Sequence, residues 1–166
     1  MIKLIIALTF TVLLLSACSG QTPQAPDTEP SFVVGSVTII SNDVEYEPHE
    51  QFEHAGWRTP EGETMSGSAP PPPPLNEFLE MLPKIQYSSD FQVVVDGEYA
   101  KRITYLLSEI EEFSRSYSEA IILVEMDELH FPEAEGTYIL VVRVIWSDSD
   151  SLANYVHLSY TSKITK

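Results

Sequence analysis

Alternation of apolar and polar positions is clearest at the C-terminal end of the chain. From Thr137 to Trp146, Tyr138, Leu140, Val142, Val144 and Trp146 alternate with Thr137, Ile139, Val141, Arg143 and Ile145. Both sets are mostly apolar, which predicts a central strand covered on both faces. Asn154 to Ile164 predicts a second strand, with Val156, Leu158 and Tyr160 on one face. The polar loop Ser147–Ser151 joins the two as a final hairpin. Upstream, the Val- and Ile-rich run Phe32–Ile40 reads as a first strand, followed by the turn cluster Ser41-Asn42-Asp43 and an edge extension at Val44–Tyr46. Phe91–Val95 reads as a strand running into the turn signal Asp96-Gly97. Ile121–Val124 and Glu128–Phe131 read as short strands.

Helical spacing appears twice. Leu75, Phe78, Leu79 and Leu82 fall at i, i+3, i+4 and i+7, which predicts a short helix stopped by Pro83. Residues 101–117 fit two patterns. Ile103, Leu106, Leu107, Ile110, Phe113 and Tyr117 make a helical stripe, whereas Ile103, Tyr105 and Leu107 make one face of a strand. Periodicity alone favours the helix slightly. Between Glu47 and Pro74 no periodicity is visible, and the segment is expected to be a long Pro-rich loop. It ends in five prolines, Pro70–Pro74, a run that favours polyproline II and serves either as a spacer or as a ligand for an aromatic groove.

The N-terminal apolar run is of another kind. Lys3 precedes Leu4–Leu15, which Thr9 and Thr11 interrupt. The run falls short of the roughly 20 apolar residues that span a membrane and has the form of a secretory signal. It closes on Leu15-Ser16-Ala17-Cys18, and Cys18 is the sole cysteine. These four positions resemble the bacterial lipobox at every place. That resemblance implies a diacylglyceryl thioether on Cys18, cleavage just before it, N-acylation, and a cell-membrane anchor on the extracytoplasmic face. An ordinary secreted protein with a stray thiol is the plainer alternative. Two acyl chains anchor stably, at ~0.8 kcal/mol per buried CH₂, where one is marginal.

These readings divide the chain into three: residues 1–17 a signal peptide, 18–31 a tether, 32–166 one domain. The thirteen residues Ser19–Ser31, rich in Pro, Gln and Thr, reach roughly 40 Å when extended. Loss of residues 1–17 removes one cation, Lys3, and takes the formal charge from −16 to −17. Such acidity argues against nucleic acid and against adhesion to anionic head groups. With Cys18 lipidated, no disulfide can form within the chain, so the core must stabilise the domain unaided.

Ahead of the last hairpin stands Pro132-Glu133-Ala134-Glu135-Gly136-Thr137-Tyr138. A proline, an acidic turn and Gly-Thr-Tyr entering a strand resemble the tyrosine corner of immunoglobulin-like sandwiches; the alternative is a plain strand aromatic. As a whole the chain resembles small uncharacterised lipoproteins of Gram-positive bacteria, in which a lipobox and tether precede such a domain. The resemblance turns residues 102–108 toward strand. The expected fold is therefore mainly β: an immunoglobulin-like β-sandwich with one short helix, against an α+β alternative with a helix at 101–117.

Chemistry-bearing motifs are sparse. His49-Glu50-Gln51-Phe52-Glu53-His54 is similar to the zinc-protease HExxH but has one residue too many between the histidines. On a helix, i and i+5 do not share a face. Asp148 and Asp150 offer two oxygens, without the glycine and bidentate glutamate of a calcium loop. Glu109, Glu111, Glu112, Glu125, Asp127 and Glu128 read as solvated acidic surface. No nucleophile elbow, P-loop or dinucleotide fingerprint is present in the sequence. No catalytic residue, metal or cofactor is expected. The favoured class is a monomeric, lipid-anchored, non-enzymatic module that binds an envelope protein or ligand; a hydrolase of envelope polymers is the alternative. Within the long loop, Trp57 and Arg58 are the expected binding residues, because both types are enriched at interface hot spots.

Overall fold

The computed structural model describes residues 32–59, 61–119, 124–149 and 153–166. The expected signal segment, tether and lipobox (Leu15, Ser16, Ala17 and Cys18) lie outside the described residues, as do Ile121–Leu123 and Asp150. The chain order is β1 (Ser36–Ser41), β2 (Val44–Tyr46), β3 (His49–Arg58), β4 (Thr64–Ser68), α1 (Leu75–Met81), β5 (Lys84–Gln86), β6 (Gln92–Asp96), β7 (Ala100–Glu109), α2 (Ile110–Glu119), β8 (Thr137–Ser147) and β9 (Tyr155–Thr165). Three strands, in order β2-β1-β6, form the smaller sheet, and six form the larger, in order β4-β3-β9-β8-β7 with β5 also on β9. Pairing is antiparallel except between β5 and β9. Along β9, β3 pairs with residues 155–161 and β5 takes over at 163–165.

The two sheets pack face to face as a sandwich, and β8 shows why. Its even positions, Tyr138, Leu140, Val142, Val144 and Trp146, join Leu158, Tyr160 and Ile164 of β9 against Val37 and Ile39 of β1. Burial of each such side chain contributes ~1.5–3 kcal/mol relative to exposure. Its odd positions Ile139 and Val141 face the other way, with Leu106 of β7, onto Phe78 and Leu82 from α1 and its exit and Phe113 of α2. The expected strand with two covered faces is what forms, with a sheet on one side and helices on the other. Lys163 of β9 ties α1 down, donating from Nζ to the Leu79 carbonyl at 3.2 Å. The last turn of α1 carries no basic residue of its own, so Lys163 supplies the cation that the carbonyl end of the helix favours.

The turn cluster behaves as expected. Asn42 and Asp43 adopt φ of 54° and 59°, and both N–H groups donate to the Asp90 carboxylate, at 3.0 and 2.9 Å. The Ser88 hydroxyl also donates to it, and these bonds lower the Asp90 pKa to about 2. Asp96-Gly97 carries the chain from the small sheet to the large one rather than closing a hairpin. Gly97 has φ of +141°, and a Cβ there would stand 2.7 Å from the Trp146 ring. The tyrosine-corner bond is present: Tyr138, 2% exposed, donates from its hydroxyl to the Ala134 carbonyl at 3.1 Å.

Three expectations need correction. The segment 47–74 is no loop, because most of it is the hairpin β3–β4. Its strand pattern is hidden because β3 exposes a largely polar face, and a bulge between Phe52 and His54 breaks the alternation. The two patterns at 101–117 are both correct, each for half. Ala100–Glu109 is a strand laddered along β8, and a helix begins at Ile110 with Glu111 and Glu112 in its first turn. The described residues therefore hold two helices, not one. Glu128–Phe131 forms no strand; only Met126 pairs, bridging Tyr105 through two bonds of 2.8 Å. Among the described residues no helix is long and apolar enough to cross a membrane.

Candidate functional site

Among the described residues, the helices cover the outer face of the large sheet at one end. Where β8 passes from Val141 to Arg143, the face turns polar. The β3 bulge decides which side chains reach this open half. His49 and Gln51 pair with Thr161 and Ser159, whereas His54 pairs with His157, so Glu53 is the extra residue. A bulge places two successive side chains on one face. Glu53 and His54 thus both reach the outer face, where simple alternation would hide one of them.

There Glu53 meets two partners. Its Oε1 accepts from Arg143 Nε at 3.1 Å, and its Oε2 lies 3.3 Å from His157 Nδ1. Arg143 Nη1 donates to Glu125 Oε1. His54 and His157 stand edge to face with ring centroids 4.8 Å apart, and the Tyr155 ring meets His54 likewise at 5.5 Å. Gly56 makes room for that ring, since a Cβ there would approach Tyr155 to 2.6 Å. Ligand atoms of Glu53, His54 and His157 all lie within 4.8 Å of one another.

This arrangement sets the electrostatics. Burial lowers the His157 pKa below the ordinary imidazole value; the Glu53 charge opposes this, and His54 and Arg143 add to it. The Glu125 pKa is lowered as well. Burial works against its ionisation, but the bond and charge of Arg143, the Thr104 hydroxyl and the Arg102 charge outweigh that. A glycosidase pair needs one carboxyl held protonated by a raised pKa. Glu53 and Glu125 instead share one guanidinium, and Glu125 shifts the opposite way.

The sequence-derived binding residues lie beside this cluster. Trp57 and Arg58 line a cleft of about 330 Å³ with Gly56, Thr64, Met65 and Tyr155. Tyr155 belongs to both the cleft and the cluster. Trp57 pairs with Met65 across the hairpin, and the backbone N–H of exposed Arg58 donates to Asn154 Oδ1 at 3.0 Å. His49 does not join His54; its ring lies against Phe78, centroids 5.6 Å apart. Asp148 accepts from Asn154 Nδ2 at 2.9 Å, within its own loop. Glu109, Glu111, Glu112, Asp127 and Glu128 are exposed. Sequence reading missed His157 and Arg143. The one available signal was Arg143, a charged residue interrupting the otherwise apolar run from Tyr138 to Trp146.

Fold and site together define a mainly-β, two-sheet protein with a polar cluster on the open half of its larger sheet. No protein-family model matches the chain, and comparison with curated proteins and with solved structures finds no match either.

Proposed function

We propose that this protein is a monomeric, lipid-anchored, non-enzymatic binding module on the extracytoplasmic face of a cell membrane. The observation that carries the reading is the complete lipobox at Leu15-Ser16-Ala17-Cys18, with the sole cysteine at its modified position. Two acyl chains on Cys18 provide the membrane affinity, and the tether sets the domain off the surface. The corner bond from Tyr138 supports kinship with the immunoglobulin-like domains of Gram-positive lipoproteins. Binding falls to the open half of the outer sheet face and the adjoining cleft of Trp57 and Arg58. A rigid sheet holds these side chains in place, so little ordering entropy opposes binding.

Metabolic labelling with a fatty-acid analogue tests the anchor. Wild type is expected to take label and Cys18→Ala none; equal label in both overturns it. Envelope cross-linking tests the face. Arg58→Glu, at an exposed position, is expected to lose the partners that wild type recovers, and an unchanged set of partners places binding elsewhere.

A further inference from the structure

We propose that Glu53, His54 and His157 form a binding site for one divalent transition-metal ion of the zinc, nickel or copper class. The inference deepens the binding-module reading and rests on it only for its biological setting; the site itself stands on geometry.

His54 and His157 are direct cross-strand partners, and neighbours in that relation have Cβ atoms about 4.5–5.5 Å apart. Both strands are held: β9 is laddered on both edges, and β3 lies between β9 and β4. The bulge then adds the carboxylate of Glu53 to the same face. The three ligand atoms lie within 4.8 Å of one another. Ligand atoms on a tetrahedral ion at ~2.1 Å stand roughly 3.4 Å apart, so side-chain rotations of about 1 Å close the set.

The surroundings suit an ion. Arg143 holds Oε1 of Glu53 and leaves Oε2 directed at His157. The 3.3 Å gap between Oε2 and Nδ1 leaves both atoms facing the space an ion would take. Outer hydrogen bonds of this kind orient metal ligands. Glu125 balances the Arg143 charge from its other side. His54 is exposed and the other two ligands are half-buried, so an ion can enter from solvent and keep water at the fourth position. Two imidazoles and one carboxylate select zinc, nickel or copper over calcium and magnesium, which require oxygen sets. A net charge of −16 raises the local concentration of any cation.

Titration calorimetry of the full chain in detergent with zinc, nickel and copper salts at neutral pH tests the proposal. Cys18→Ala is present throughout to remove the one competing thiol. One equivalent is expected to bind, with calcium and magnesium unable to compete. His54→Gln and His157→Gln are each expected to weaken binding by more than the ~10–100-fold typical of losing a supporting hydrogen bond. His130→Gln, at the exposed histidine beside Glu128, is expected to leave it unchanged. The ion should raise the melting temperature of wild type and not that of His54→Gln, whose exposed position spares the fold. No binding, equal binding in wild type and His54→Gln, or displacement by calcium overturns the site. Those results leave the lipid anchor and the partner set untouched, because labelling and cross-linking read them separately.

Discussion

The outer face of the larger sheet is one surface with two halves. Near the start of β8, Ile139 and Val141 meet Leu106, Phe78 and Phe113 under the helix pair. Two residues further along the same strand, Arg143 meets Glu53 and Glu125, and all three stay partly exposed. Along β8 the extended backbone and the two neighbours, β7 and β9, are the same in both halves. The difference is what lies on top. A covered half gains by excluding water and must be apolar. An open half can hold charges that remain partly hydrated, and it can present them to a ligand. The strand β8 thus passes from a water-excluding surface to a partly hydrated one over about 7 Å of chain, two residues of rise.

The largest predicted effect breaks the covered half. Phe78→Ala removes a ring that is 2% exposed and stacked 6.2 Å from Phe113 and 5.6 Å from Tyr117. It is expected to cost ~3–5 kcal/mol, read as a lowered urea midpoint. The Tyr138 corner stands on the opposite face of β8 from the one that Phe78 covers. Tyr138→Phe deletes only the bond to Ala134 and is expected to cost ~0.5–1.5 kcal/mol; an unchanged urea midpoint would show that the corner bond adds nothing to stability.

The open half is expected to yield less. Arg143→Met frees two carboxylates that stay partly hydrated, so its cost is ~1 kcal/mol or below. Adding Glu53→Gln should recover part of that loss, since the two residues are coupled by direct contact. A loss as large as that of Phe78→Ala, measured by the same denaturation, would erase the contrast between the halves.

The smallest effect lies outside both. The folded-state pKa of Asp90 is depressed to about 2 from 3.8. A depressed carboxyl pKa contributes stability above the unfolded value and loses it as pH falls through the folded one. Asp90→Asn is therefore expected to flatten the pH dependence of the urea midpoint between roughly pH 4 and 2, where wild type declines. An equal decline in both proteins would assign that acid sensitivity elsewhere, the Arg143 cluster being next in line.

What could be read from the sequence is what local chemistry decides. The apolar alternation of 137–146 forces a doubly covered strand whatever covers it, and β8 is that strand. The spacing of Leu75, Phe78 and Leu79 needs no partner to suggest α1, and Asn42-Asp43 turns because these residues tolerate positive φ. The proposed lipobox would likewise be chemistry written in consecutive residues. Tertiary structure decided the rest. Residues 101–117 carry apolar side chains that satisfy either period, and only the ladder along β8 makes 100–109 extended. The first half of β3 is polar because neither of its faces is buried there, a fact about neighbours rather than about His49–Arg58. The site needs both: Glu53 and His54 were visible as a pair, but His157 lies about a hundred residues away in sequence. What joins them is the pairing of β3 with β9, and the bulge that turns two successive side chains to one face. Register between distant strands is set by the burial of the whole inner core, which no short window of sequence contains.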